Sequence, residues 1–348
     1  MTDLTAQLAD QVRAATAAAT PLRIEGGGTR AWYGRPVDGQ PLKLADHKGV
    51  IDYDPSELVI TARAGTPMAE IETLLAEHHQ MLCFEPPSFG AAGTLGGAVA
   101  TGLSGPRRPF TGALRDYVLG VRVLDGQGEA LRFGGTVFKN VAGFDAFRLM
   151  AGAQGSLGVL LDVSLRVFPR PRVERSLAFD LSRDAGRDWI IEQMRRPLPL
   201  SGAFHDGHRL HVRLSGGEAA VASAAAEFGG EDEALDLWPQ VRDLTHPAFQ
   251  GSPVLWRIAL PQTAPLPEFD GRLAWDWAGG VAWLAADEID PQVWTWAARM
   301  DGHATLFRGA KGQVFQPLAS PILKLHQRIK AALDPASVFN PGRMYEGL

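Results

Sequence analysis

The chain has 348 residues, 45% of them apolar and 21% charged, with a formal net charge of −5. That length suggests two domains with a sizeable core, and the slightly acidic balance excludes a general electrostatic pull toward nucleic acid. The single cysteine, Cys83, excludes an internal disulfide and, alone, an iron–sulfur cluster held by four thiolates; it reads as a small buried hydrophobe in a reducing compartment.

The opening, MTDLTAQLADQVRAATAAATP, has an early aspartate and no apolar h-region, so it does not read as a signal peptide. No apolar run reaches the roughly 20 residues of a membrane span. Leu4, Leu8 and Val12 share one helical face, and the pattern stops at Pro21. PLRIEGGGTR reads as a short strand running into a glycine loop. LVITARAG, from Leu58, is a β-rich strand. Thr66 is placed to cap a helix beginning at Pro67, with Met68, Ile71, Leu74 and Leu75 on one face. MLCFEPP reads as a strand stopped by two prolines, so residues 58–87 predict a strand–helix–strand unit. From Pro86 to Pro106 there is no charged side chain but there are six glycines, too much Gly and Pro for a good helix, so this stretch is expected to be a loop.

DYVLGVRVLDGQGEALRFGG predicts a hairpin turning at Asp125-Gly126 or over Gly126-Gln127-Gly128. GSLGVLLDVSLRVFPRP is a long strand ending at Pro169, and FPRPRVE looks like a linker. Of nine tryptophans only Trp32 precedes it, which places a domain boundary near residue 170. Beyond it come strands in RLHVRLSGG and VLWRIALP and helices near 184–195, 218–227 and 321–333. The alternation suggests an α+β sandwich. GGEDEALD reads as a solvated loop or helix start, and the tryptophans of WDWAGG and VWTWAA as core or subunit-interface residues.

Two glycine runs carry the chemistry. Gly26, Gly27, Gly28 and Thr29 directly follow a strand. Consecutive glycines adopt positive φ freely and can turn their amides into one anion-binding concavity; the alternative is a tight turn. The Rossmann pattern is absent, because RAWYG follows with neither a third glycine in place nor a helical pattern. No Walker loop occurs. The second run, EPPSFGAAGTLGGAVATGLSGPRR, offers further backbone donors, the hydroxyls of Thr94 and Thr101, and a positive end at Arg107 and Arg108. An uncharged loop poor in Cβ atoms suits a large flat ligand carrying two phosphates. His205, His208 and His211 lie close together, but Asp206-Gly207 signals a two-residue turn that sets His205 opposite His208. Strand alternation then sends His208 and His211 to opposite faces, so no metal site is expected.

IEGGGT, EPP followed by GTLGGAVATG, GALRDYVLGVRVLDGQG, KNVAGFDAFRLMAGAQGSLGV and LDPASVFNPGRMY together resemble the flavoproteins of the vanillyl-alcohol-oxidase/PCMH superfamily. GPRRPF, LRFGGTVFKNVAGFD and DGHATLF narrow the resemblance to the FAD-binding subunits of bacterial glycolate oxidases. It runs from about residue 20 to the end and is most specific within residues 80–170. The implied fold class is α+β: a PCMH-type FAD-binding domain of two α+β subdomains (1–170), a ferredoxin-like α+β cap (171–320), and a terminal segment (321–348) returning to the first domain.

The resemblance implies FAD wrapped at its pyrophosphate by Gly26–Thr29 and by the second loop, with Gly93, Thr94, Gly96, Gly97 and Thr101. Gly102, Gly105 and Arg107 belong to the same loop. Pro86 is implied near the flavin, and Gly143, Asp145, Gly158 and Val159 along the ribose and adenine. Arg115 either faces the cofactor or pairs with Asp116. The first loop holds no His or Cys, so FAD is expected to be non-covalent. The resemblance further implies a subunit of a multi-subunit glycolate (2-hydroxy acid) dehydrogenase forming glyoxylate. Its partners would be a larger FAD-binding subunit and an iron–sulfur subunit that leads to quinone. The expected location is the cytoplasm, with partner subunits supplying any contact with the inner face of the cell membrane. Relatives that oxidise D-2-hydroxy acids keep a Glu-His-Gly element where this chain has MDGHATLFRGAKG. His303 stands there alone, so no catalytic base is assigned; His303 and Arg308 are the candidates if the chain acts by itself. Two other readings stay open, a self-sufficient flavin dehydrogenase and a non-catalytic scaffold subunit.

Overall fold

In the computed structural model, which describes residues 3–135, 145–309 and 312–348, the N-terminal apolar spacing forms α1 (Thr5–Ala17), burying Leu8, Ala9, Val12 and Ala15. The strand before the first glycine run is β1 (Leu22–Glu25), paired in parallel with β2 (Gln40–Lys43). Next come β3 (Val50–Asp54), β4 (Val59–Arg63), α2 (Met68–Glu77) and β5 (Gln80–Met81), then α3 (Leu95–Thr101), α4 (Arg108–Thr111) and α5 (Leu114–Tyr117). The hairpin β6 (Val118–Leu124) and β7 (Ala130–Gly134) closes over residues 125–129. It is followed by β8 (Val159–Arg166) and β9 (Phe168–Pro169). An antiparallel sheet has the order β3-β4-β8-β6-β7. Its central strand β8 is buried up to Leu165, which is why VLLDVSLR reads as an almost unbroken apolar run. The two polar exceptions have partners: Asp162 Oδ2 lies 2.6 Å from Arg122 Nε as an ion pair, and the Ser164 and Thr61 hydroxyls lie 2.8 Å apart.

Four expectations need correction here. Residues 86–106 are not a plain loop: α3 lies within them, capped by the Thr94 hydroxyl, which accepts the Gly97 amide, and closed by Gly102 in the left-handed conformation. Thr66 does not cap α2; its Oγ1 accepts the Gly49 amide at 2.9 Å. MLCFEPP forms a strand only at Gln80–Met81. That strand pairs with β9 rather than β4, so FPRPRVE is partly paired; the expected strand–helix–strand order is present in β4, α2 and β5, with its two strands in different sheets.

The second sheet uses β10 (Val173–Phe179), α6 (Arg183–Gln193), β11 (Leu200–His205), β12 (Leu210–Gly216), α7 (Glu218–Phe228) and β13 (Glu231–Glu233). After α8 (Leu237–Arg242) come β14 (Val254–Ala259), β15 (Arg272–Asp276), β16 (Val281–Ala286), α9 (Gln292–Arg299) and β17 (His303–Arg308). Its order is β13-β10-β12-β11-β15-β16-β14-β17. The first four strands with α6 and α7 make a ferredoxin-like βαββαβ unit. The last four repeat its strand order in mirror sequence along the sheet. The two halves meet where His205 pairs with Trp275. The second unit lacks its first helix: Pro261, Pro265 and Pro267 occupy that connection, and each removes an amide donor that a helix needs. The chain ends with α10 (Ser320–Leu333). Among the described residues no helix is long and apolar enough to cross a membrane.

The Asp206 turn also differs from expectation. Four residues separate β11 from β12, so His205 faces Leu210 rather than His208. GGEDEALD is not wholly loop or helix start, since Glu231–Glu233 is the edge strand β13. Its Glu233 Oε2 lies 2.8 Å from His211 Nδ1, and Asp206 Oδ2 lies 3.5 Å from Nε2. Burial alone would lower this imidazole, but the two carboxylates overcome it and push it up to about 9 from 6.5. A raised folded-state value stabilises fully below about pH 6.5 and is lost as pH rises through about 9. Thermal denaturation from pH 6 to 10 is therefore expected to show a loss of up to about 3 kcal/mol, absent in His211→Gln.

A buried ion cluster joins the two halves. Glu85 accepts the Arg107 amide at 2.9 Å and Arg107 Nε at 3.2 Å, and meets Arg213 of β12 at 2.8 Å. Arg107 also reaches Glu174 of β10. Burial alone would raise the Glu85 carboxyl, but Arg213 and Arg107 outweigh it and hold it low. The C-terminal segment returns to the first half. Lys330 Nζ donates to Asp334 and to the carbonyls of Ser156 and Phe339, and the Leu22 amide donates to Val338.

Candidate functional site

A cavity of about 640 Å³ opens where β1 ends, within the range of about 300–1,000 Å³ common for small-molecule sites. Gly26, Gly27, Gly28 and Thr29 line one side, and Thr94, Gly96, Gly97 and Thr101 of the α3 region line the other, with Gly158 at the margin. The two glycine runs therefore meet around one space. The contact is close: a Cβ on Gly26 would stand 2.5 Å from Thr94 Oγ1, and one on Gly27 would stand 1.5 Å from the Ala92 carbonyl oxygen. Gly28 has φ +74, a left-handed turn that glycine adopts without strain.

The two runs contribute differently. No acceptor among the described residues takes the amides of Gly27, Gly28, Thr29 or Arg30, which matches an anion-binding nest. In the second run the amides of the first turn of α3 are already used. Leu95 donates to Thr66, Gly96 to Ala64, and Gly97 to its own cap, Thr94. That turn supplies close backbone approach at Gly96 and Gly97, beside the side chains of Thr94 and Thr101, rather than free amides.

Arg30 adds the positive charge. It is 7% exposed, its Nη2 donates to the Pro87 carbonyl, and its buried Nε has no protein acceptor. Burial pushes its guanidinium down to about 10, partly offset by Asp243, so it stays charged at neutral pH. A buried cation with an orphaned donor beside free amides fits a diphosphate, because charge-assisted hydrogen bonds are stronger than neutral ones.

Several expected residues lie elsewhere. Gly102 closes α3, Gly93 holds the α2 entry by accepting the Met68 amide, and Val159 is core. Pro86 is buried and does not line the cavity, and Asp145 is exposed. The Gly105 amide donates to Phe84 and its carbonyl accepts Trp277 Nε1. Arg107 is held in the ion cluster, and Arg115 is 65% exposed and 3.8 Å from Asp116. Gly143 lies outside the described residues. His303 and Arg308 sit at opposite ends of β17, roughly 17 Å apart along a strand. Burial and Arg257 lower the His303 imidazole, while Arg308 Nη1 donates to the Phe249 and Ser252 carbonyls. They do not form one site. Among the described residues no group of three or more His, Cys, Asp or Glu side chains could hold a metal ion.

Sequence reasoning missed Arg30, Gln154, Gly155, Asn340 and Arg343, all on the cavity wall. Asn340 links the Ile24 amide to the Gln154 carbonyl at 2.9 and 2.7 Å, and Arg343 donates to the carbonyls of Ala31 and Tyr33. The terminal NPGR thus braces β1 and the first glycine loop.

Residues 3–134 match the FAD binding domain family. The chain is 46% identical over 346 residues to the glycolate oxidase subunit GlcE of Escherichia coli strain K12, covering 99% of each. It is 30% identical over 160 residues to the glycolate oxidase subunit GlcD of Bacillus subtilis strain 168, covering 45% of this chain and 34% of that protein. A D-lactate dehydrogenase of Archaeoglobus fulgidus is 27% identical over 229 residues, 62% of this chain and 51% of that protein. In fold the chain matches a solved alkyldihydroxyacetonephosphate synthase, with a TM-score of 0.67 at 14% identity, over 97% of this chain and 74% of that one. Identity sustained from end to end, across both sheets and the returning terminus, is a whole-chain relationship: the chain belongs to the GlcE family of glycolate oxidase subunits, FAD-binding flavoproteins.

Proposed function

We propose that the chain is the FAD-binding subunit of a multi-subunit oxidase that converts glycolate, or a related 2-hydroxy acid, to the 2-oxo acid. The 46% identity to GlcE over nearly the whole chain carries this reading. FAD, when bound, accepts hydride and passes electrons on. This chain's residues hold the cofactor: the Gly27–Arg30 amides and the Arg30 guanidinium on the diphosphate, with Gly96 and Gly97 allowing close approach. Binding is non-covalent. No His or Cys lines the cavity among the described residues, and burial pushes the Cys83 thiol up to about 11, so it is not a ready nucleophile. Residues 1–170 act as the FAD domain, 171–320 as the cap and 321–348 as a clasp. A larger FAD-binding subunit and an iron–sulfur subunit are the partners, in the cytoplasm or against its membrane.

Co-purification of the tagged chain from its native cells tests this. A yellow hetero-oligomer that reduces a dye only when glycolate is added is expected. A solitary, colourless chain that takes up no added FAD would overturn it.

A further inference from the structure

Among the described residues α1, α2, α6, α7 and α9 each bury apolar side chains, whereas the one buried residue of α10 is Lys330. Its Nζ donates to Asp334 and to the Ser156 and Phe339 carbonyls, which pins the C-terminal end of the helix to the first half of the chain. Leu323, His326 and Leu333 stand half-buried on the side of that anchor. Beside them Ile322, Leu325 and Ile329 follow at i, i+3 and i+7, the spacing of one apolar stripe. Leu325 is 52% exposed, more than any other large apolar side chain described, and Ile322 is 46% exposed. Lys324 and Arg328 flank the stripe, both exposed and neither in an ion pair or hydrogen bond among the described residues. The sequence carries the same asymmetry: from Gly302 to Leu333 there is no carboxylate side chain, in a chain of net charge −5.

We propose that the outer face of α10 is where this chain docks another subunit of the oxidase, into an apolar groove of that subunit rimmed by carboxylates. The inference rests on the reading that the chain works as one subunit of an assembly. An amphipathic helix laid in a groove is read through anchors at i, i+3 and i+7, which here are Ile322, Leu325 and Ile329. Lys324 and Arg328 are like charges at i, i+4, an arrangement that weakens a helix by itself and that facing carboxylates relieve. The anchor at Lys330 presents the stripe on a fixed helix, so little ordering is left to be done on binding. A membrane surface fits less well, because the stripe runs only roughly 11 Å and carries no Trp or Phe to seat at the lipid interface. A second copy of this chain fits less well too, because a two-fold pairing of identical patches would set Lys324 and Arg328 against their own copies.

Titration of the full flavin-loaded chain against the remaining subunits of its native complex, followed by sedimentation velocity, tests the surface. Affinity is expected to fall about tenfold or more in Leu325→Glu and in the Lys324→Glu, Arg328→Glu double variant. It is expected not to change in Ile289→Glu, an exposed apolar position before α9. Parent affinity is expected to weaken as ionic strength rises. Flavin absorbance and circular dichroism check that each variant folds, and if Leu325→Glu does not, the double variant gives the same readout. The chain alone is expected to sediment as a monomer and not to float with vesicles of phosphatidylcholine and phosphatidylserine. Unchanged affinity in the α10 variants would overturn the inference, as would a homodimer or vesicle binding that Leu325→Glu abolishes. A parent chain that assembles while its α10 variants assemble equally well contradicts this surface alone, whereas a parent chain that never assembles contradicts the proposed function and the inference with it.

Discussion

Gly27→Ala is expected to strip the chain of flavin while both sheets still form. The added Cβ would stand 1.5 Å from the Ala92 carbonyl oxygen and 2.5 Å from its carbon. Both are backbone atoms, so no rotamer relieves the clash and the two glycine runs must separate. Overpacking of this kind costs about 1–3 kcal/mol of stability. The larger effect falls on the cofactor, because the amides that face the diphosphate move with the loop. At roughly 1.5–3 kcal/mol for each hydrogen bond to a charged group, misaligning two of them weakens FAD binding about a hundredfold or more. Gly28→Ala is the control. Nothing lies within 4 Å of its added Cβ, and only the positive φ of +74 is strained, at a cost of about 1 kcal/mol. Flavin absorbance per chain, with circular dichroism as the check on folding, separates the two. A Gly27→Ala protein as yellow as its parent would mean that the runs need not close for FAD to bind.

Glu85→Gln carries the second large effect. Its carboxylate is the common partner of Arg107 and Arg213 and bridges the first half to β12 of the second sheet. Removing one partner of a buried charge cluster leaves uncompensated charge, at a cost of about 3–5 kcal/mol. Urea unfolding should shift by that amount, and the Glu85→Gln, Arg213→Met double variant should recover part of it, since coupled neighbours are not additive. A change below about 1 kcal/mol, typical of exposed ion pairs, would show that the cluster does not hold the halves together.

What the sequence made legible follows from locality. α1, the β6–β7 hairpin and β8 are written in short-range periodicity, and the first glycine run is marked by the strand directly before it. α3 was hidden because Gly96 and Gly97 oppose helix formation. Tertiary contact overrides that propensity: a Cβ on Gly96 would lie 2.8 Å from the Ala64 side chain, so close packing demands glycine inside the helix. Arg107 follows a long neutral stretch, and nothing local distinguishes a phosphate contact from an ion pair with Glu174, 67 residues away. Asn340 reaches Ile24 across 316 residues, a partnership no window of sequence reveals. Arg30, one residue past the glycines, was within reach. Its signal was a cation directly after four residues with small side chains, and only its burial shows what it is for.

The most direct measurement is a crystal structure of the chain with FAD. The account predicts diphosphate oxygens about 3 Å from the amides of Gly27 to Arg30, with Arg30 Nε donating to one of them and no bond from the amides of Leu95, Gly96 or Gly97. A diphosphate bound away from the end of β1, with those amides still unpartnered, would contradict it.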